Sequence, residues 1–383
     1  MRGSKTSSIY WLGAFVAKKL LEWRSFKTDR KILVIESDDW GSRRTDDVDA
    51  LRHLNKINSA VRQDRFTQLD NIASEHDLSY LYEVLSSVKD TNGCFAKITA
   101  NVSVANPDFR AIEESGFSKF SYEPFYKTIQ RKTNGQRILT LWDEGIKTGI
   151  FVPQLHGREH VHALAWMSEL RLGNADLIKA FRLGACGIPY RPLLKLRRKN
   201  LQAALDAYGI DGEIDFQTAW LAESSKMFKE YFGFHSDTFI APAYTWPSSL
   251  LTSFHSLGIK GLQGIRLQYE PTGDDRMYKK RWHYTGQGTD KGIAYLVRNV
   301  FFEPASNPQN DLADITLSKI ANAFKHSFPV IIGSHRINYI GSLDATNRDR
   351  NLNSLKQILK SVLKKYPTVE FMSSNQLLSL TAK

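Results

Sequence analysis

Cysteine is almost missing from this chain. Its 383 residues hold two, Cys94 and Cys186, and no Cys-x-x-Cys pair. That excludes a disulfide framework and a thiolate zinc site, and it suits a reducing compartment. Long apolar runs are missing as well, since none approaches the roughly 20 residues that span a bilayer. There is no glycine-rich phosphate loop, no internal repeat, no low-complexity tract and no Gly-, Ser- or Pro-rich linker. The chain therefore reads as one large domain with insertions, and phosphoryl transfer ranks last among the chemistries considered. No RNA- or DNA-binding motif accompanies the excess of 52 basic over 40 acidic residues, so nucleic acid is not an expected partner. A formal charge of +12 suits an anionic glycan, a phosphate or an anionic membrane, and equally an ordinary basic surface.

The hydrophobic content of 42% is enough for an enzyme-sized packed core rather than a disordered chain. At the N-terminus the apolar stretch 9–17 runs straight into Lys18-Lys19, which lacks the shape of a secretory signal. Residues 8–24 read instead as a basic amphipathic helix within an N-terminal segment, 1–30. It is expected to pack on the domain, the alternative being peripheral contact with an anionic membrane. The expected location is cytoplasmic, with or without that membrane association.

The chain is organised around Lys31-Ile-Leu-Val-Ile-Glu-Ser-Asp-Asp-Trp40. The run 32–35 is short, apolar and β-branched, as in a strand buried on both faces of a parallel sheet. It delivers two adjacent carboxylates, Asp38 and Asp39, to the strand's carboxyl end, where α/β folds carry their chemistry. Further strands are expected at 95–100, 149–156, 238–243, 258–262, 293–302, 329–335 and 369–372. Helices are expected at 78–85 behind a Ser74-x-x-Asp77 capping box, and at 139–149, 160–170, 201–208, 216–231, 250–257, 312–328 and 352–366. The alternation implies βαβ units and a mostly parallel sheet. Polar groups at several strand ends, Asp38, Asp39, Asn101, His156 and His335, favour convergence in a barrel.

His156 and His160 are four residues apart. If a helix begins at His156 they lie on one face, and with a carboxylate they make a site for zinc or another divalent metal. His162 is a weaker substitute. Trp40, Tyr244 and Trp246 are candidates for stacking on a sugar ring, the alternative being rim packing, and Arg158 is a further expected substrate contact.

Taken together, the order Asp38-Asp39, His156-x-x-x-His160, Ile240-Ala-Pro-Ala-Tyr244 and Gly333-Ser-His335 resembles the polysaccharide deacetylase family, carbohydrate esterase family four, of the glycoside hydrolase/deacetylase barrel superfamily. The resemblance runs over about residues 31–345 in short patches. It implies a distorted (β/α) barrel of about seven parallel strands over 31–383. It implies a metal-dependent carbohydrate deacetylase acting on an acetylated glycan, with Asp38 as base, Asp39, His156 and His160 as metal ligands, and His335 as acid. Zinc is the expected ion, and a backbone N–H near Tyr244 is the expected oxyanion donor. The sequence departs from the family's third motif. An arginine that steadies the base is expected at position 240, which is Ile240, and Arg158 or Arg336 are the candidate replacements. The fourth motif is matched only by Trp282-His283. The gap between Asp39 and His156 is long, implying an inserted element over the cleft. These departures keep open an alternative, a catalytically inactive carbohydrate-binding member of the same fold.

Overall fold

The computed structural model describes residues 21–195, 201–273, 278–306, 308 and 312–381. Nine parallel strands form one sheet: β1 (Lys31–Trp40), β2 (Ile98–Val102), β3 (Phe151–Leu155), β4 (Thr238–Ile240), β5 (Gly261–Gly264), β6 (Ala294–Val297), β7 (Val300–Phe301), β8 (Val330–His335) and β9 (Val369–Met372). The path is β6-β5-β4-β3-β2-β1-β8-β7, with β9 alongside β1. Its two edges, β6 and β7, are separated in the chain only by Arg298 and Asn299. The Arg298 N–H donates to Gly264 O on one side (2.9 Å), and the Asn299 N–H donates to Ile331 O on the other (3.1 Å). One segment therefore serves both edges, and seven staves close into an irregular barrel. On the flank of β1 that faces away from β8, β9 pairs with Lys31 to Val34 and β2 pairs further along, from Glu36 to Trp40.

Strand alternation sorts side chains between two cores. Leu33, Ile35, Val297 and Ile332 point outward into the large core shared with helices α1 (Glu75–Ser86), α2 (Gly135–Lys147), α3 (Glu213–Phe232), α4 (Leu312–Lys325) and α5 (Ala345–Lys365). Ile32, Val34, Ala294, Leu296 and Ile331 point inward and meet Leu377 and Leu378 of α6 (Ser374–Thr381), which plugs the amino end of the barrel. Following the inward positions upward, the apolar layer gives way to Glu36, Asp38 and Arg298. The plug is apolar and the opposite end is polar, so the chemistry is confined to the strands' carboxyl ends.

The capping box at Ser74 and Asp77 is present as expected. Two expectations are corrected. Residues 201–208 form turns rather than a helix. Residues 156–162 are a loop, and the helix Ala163–Arg171 begins only after them. The stretch 43–70 forms three short helices, Val48–Leu54, Ser59–Gln63 and Arg65–Leu69, each with a side-chain N-cap. Leu54 and Val61 from it pack with Ile112, Trp166, Phe181 and Leu201 in a separate core. This is the inserted element that the long Asp39–His156 gap implied. Of the expected N-terminal helix, residues 8–20 lie outside the described residues, and Leu21 to Arg24 are helical. Among the described residues, no helix is long and apolar enough to cross a membrane.

Candidate active site

Adjacent residues on a regular strand point to opposite faces, yet Asp38 and Asp39 both serve one site. The reason is local. Asp39 adopts φ +74° and the register against β2 shifts between Ser37 and Trp40, a bulge that turns the Asp39 carboxylate inward. Such a non-glycine left-handed residue costs roughly 1–3 kcal/mol and clusters at functional sites. The Ser42 N–H and hydroxyl both donate to Asp39 O and hold the turn.

Asp39 Oδ1 lies 3.3 Å from His156 Nε2 and 3.1 Å from His160 Nε2, with all three side chains buried. The two histidines meet through a loop, not a helix face. Gly157 turns back at φ +100°, where an added Cβ would sit 1.9 Å from Trp220 Cη2. His156 Nδ1 lies 2.9 Å from Ile240 O. That contact fixes the tautomer, with Nδ1–H donating to the carbonyl and the Nε2 lone pair directed at Asp39. One oxygen and two imidazole nitrogens, mutually within 4.8 Å, form a donor set that fits zinc or a similar divalent ion. Burial, opposed by Asp39, holds His160 at about pKa 4, and so neutral and able to donate its lone pair at pH 7. Burial works against the Asp39 charge, but His160, His156 and Arg44 outweigh it and keep its pKa well below the usual range.

Asp38 is held from two sides. Arg298 grips it bidentately, Nη2 to Oδ1 and Nη1 to Oδ2, both at 2.7 Å, while Asn101 Nδ2 donates to Oδ1 at 2.7 Å. The same guanidinium donates through Nε to Glu36 Oε2 (2.7 Å) and through Nη1 to the Tyr244 hydroxyl (2.8 Å). Burial would raise the Asp38 pKa, but Arg298, then His335 and His156, bring it down to about 2. Arg298 is thus the charge partner of Asp38 that position 240 lacks. It needs space that Gly333 leaves, since a Cβ there would meet Arg298 Cδ at 2.5 Å. Arg158 and Arg336 do not take that role. Arg158 pairs with Glu159 and Glu223 and lies over the Tyr122 ring. Arg336 pairs with Asp70 and donates to Ser42 O.

In the β1–β8 register Asp38 stands opposite His335. His335 Nε2 is 3.7 Å from Asp38 Oδ2, and Nδ1 is 2.6 Å from Glu303 Oε1. Burial would lower the His335 pKa, but Glu303 foremost, with Asp38 and Asp39, raises it to about 10. Glu303, not Trp282-His283, is therefore the acidic partner of this histidine. His283 stacks on Tyr295 and hydrogen-bonds Gln268. A folded-state pKa above the unfolded value of about 6.5 stabilises the fold fully below pH 6.5, and that contribution fades as pH rises through 10. Glu303→Gln is expected to lower stability by roughly 1–3 kcal/mol near pH 6, with the gap to wild type closing towards pH 10. Denaturant titrations across that range test it, and a gap independent of pH would refute the assignment.

The inserted element also reaches the site. Arg44 Nη2 lies 3.5 Å from Asp39 Oδ2, and Arg44 Nε lies 3.4 Å from Asp70 Oδ2. Phe66 lies under the Arg44 guanidinium and meets the His335 ring edge-on at 5.5 Å.

Other expected contacts are corrected. Trp40 is 1% exposed, donates to Ser37 Oγ and packs edge-on against Phe151, so it presents no face to a sugar. Trp246 is also buried, against Phe254. Arg158 is buried in its own ion pairs and does not face the site as a substrate contact. Tyr244 is half-buried, and its own N–H donates to Ala241 O, which leaves that N–H unavailable to an oxyanion. His162 caps the helix Ala163–Arg171 and contacts Glu213. Arg298 and Glu303 were missed by sequence reasoning, although each carries a signal. Arg298 is the one charge inside the largely apolar run 293–302, and Glu303 is an acid just past a strand end.

No protein-family model matches this chain, and no curated protein does. Among solved structures it is similar to a protein from Parabacteroides distasonis described as a glycoside hydrolase/deacetylase, with TM-score 0.50 and 6% identity over 93% of this chain and 72% of that one. That likeness shows a shared fold. A protein from Pseudomonas aeruginosa described as a polysaccharide deacetylase gives TM-score 0.43 and 8% identity over 92% and 91% of the two chains. The 4-alpha-glucanotransferase of Thermococcus litoralis gives TM-score 0.42 and 9% identity over 92% of this chain, which spans only 40% of that enzyme.

Proposed function

We propose that this chain is a metal-dependent hydrolase that removes acetyl groups from N- or O-acetylated sugars of a poly- or oligosaccharide. One observation carries the reading. At a single barrel end, a buried Asp39–His156–His160 cluster adjoins a carboxylate locked by arginine and an imidazole raised by glutamate. A divalent ion held by Asp39, His156 and His160 would acidify a bound water and polarise an acetyl carbonyl. Asp38, ionised down to about pH 2, is available throughout the working range to orient the attacking water and accept its proton. His335, protonated up to about pH 10, gives a proton to the departing amine or alcohol. Arg298 thus keeps Asp38 ionised and Glu303 keeps His335 protonated, the starting protonation states that the two roles require. The inactive carbohydrate-binding alternative rested on the arginine absent at position 240 and on the weak fourth motif; the pairing of Arg298 with Asp38 and of Glu303 with His335 favours the catalytic reading.

Acetate release from N- and O-acetylated oligosaccharides by zinc-loaded protein tests the reading. Release is expected in wild type and is expected to be lost in an Asp39→Ala, His156→Ala double variant. Full activity in that variant, or sugar and metal binding with no acetate from any acetylated glycan, would overturn it.

A further inference from the structure

A two-stranded antiparallel ribbon, Leu267–Pro271 with Tyr278–Trp282, follows β5. Its side chains are distributed in reverse of what water favours. Gln268 and Glu270 point inward and are buried, bonded to Trp246 O and to the Ser248 N–H. The opposite face carries Tyr269 and Trp282, 41% and 43% exposed, with Lys280 directly across from Tyr269. Lys279 and Arg281 along the same strand are exposed too, but the register sets them across from Glu270 and Gln268 on the other face, where Arg281 pairs with Glu270. A surface ribbon that buries its amides and carboxylates while presenting aromatic rings is built for contact with something other than water.

Residues 21–26 pack beside this ribbon. Glu22 pairs with Arg266 (3.5 Å), Arg24 lies over the Tyr284 ring (5.3 Å), and the Phe26 N–H donates to Thr285 O (2.7 Å). Leu21, Glu22 and Ser25 line a cavity of about 930 Å³ together with Arg266, Leu267 and Tyr284. Trp23 has no place in that lining and is 73% exposed. Among the described residues beside the ribbon, Glu22 is paired with Arg266, and Glu270 with Ser248 and Arg281.

We infer that the ribbon's outer face, with Trp23, is a docking surface for an anionic membrane. Tryptophan and tyrosine beside lysine and arginine is the composition that settles at a bilayer interface, where rings enter the headgroup region and cations meet anionic lipid. The chain's formal charge of +12 has the complementary sign. The sequence immediately before Trp23 is itself apolar and basic, with Trp11, Lys18 and Lys19. A soluble glycan is the competing occupant, and the test separates the two.

Co-sedimentation of the full chain with vesicles of phosphatidylcholine alone, and of an equimolar mixture with phosphatidylglycerol, reads the surface directly. Binding to the anionic vesicles and not to the neutral ones is expected. Tyr269→Ser with Lys280→Glu, and separately Trp23→Ser with Trp282→Ser, are each expected to weaken it by about tenfold or more. Both pairs are exposed, and circular dichroism confirms that each variant folds. No binding to anionic vesicles would overturn the inference, as would binding indifferent to both pairs of changes. Loss of affinity for a soluble acetylated glycan in the same variants, with vesicle binding intact, would assign the face to substrate instead. Because vesicle binding requires no catalysis, it stands or falls separately from acetate release.

Discussion

Arg298→Met is expected to destabilise the protein by about 3–5 kcal/mol and to reduce acetate release by about 10²–10⁴-fold. The stability figure follows from what the guanidinium neutralises. Asp38 and Glu36 are both fully buried and share Arg298, and removing one partner of a buried ionic group leaves uncompensated charge. Burial already pushes the Glu36 pKa up despite Arg298. Without the arginine, both carboxylates are expected to take up protons near neutrality, and a protonated Asp38 cannot accept one. The activity figure is the usual contribution of a positioned base. Arg298→Lys keeps a charge but cannot reach both oxygens of Asp38 and Glu36 at once, so it is expected to recover stability more than activity. Adding Glu36→Gln to Arg298→Met is expected to restore part of the stability and none of the activity. Denaturant unfolding together with acetate assays checks each variant, and a fully active Arg298→Met protein would remove Asp38 from the mechanism.

Adding zinc to metal-free wild type is expected to raise its melting temperature by a few degrees, and Asp39→Ala is expected to abolish both that response and the activity. A ligand that binds only the folded state at a hundredfold excess over Kd stabilises it by about 2.7 kcal/mol. Asp39 supplies the one anionic donor of the cluster, so its loss leaves two neutral imidazoles and no charge to offset a dication. The variant should remain folded, because Arg44, which loses Asp39, keeps its pairing with Asp70. Calorimetric scans with and without metal, before and after chelation, decide the point. An unchanged wild-type melt in excess zinc, or an Asp39→Ala protein that still responds, would refute the assignment of these three residues.

How much of this was legible in the linear sequence depended on the range of the interaction involved. The strand ending at Asp38 and Asp39, the capping box at Ser74, the helix and strand alternation and the strand-end histidines all follow from local rules, which is why they could be read in order. The convergence of His156 and His160 was anticipated for the wrong reason. A four-residue spacing suggested a helix face, whereas Gly157 and the packing of Trp220 bend the chain into a loop. Trp40 and Trp246 show the converse error. An aromatic residue beside a site motif is as well suited to a core as to a cleft, and only burial separates the two.

What the sequence determined by itself was therefore the fold class and the residues with the means for chemistry, because hydrophobic period, turn residues and strand-end position are encoded within a few residues of one another. Only the tertiary structure decided their partners. Arg298 reaches Asp38 across 260 positions, and Glu303 reaches His335 across 32, through a barrel closed where one segment pairs with both edges of the sheet. Charge pairing acts through space and carries no spacing signature in the chain. The arginine absent at position 240 could be found again only in the folded barrel, two staves away beyond β5.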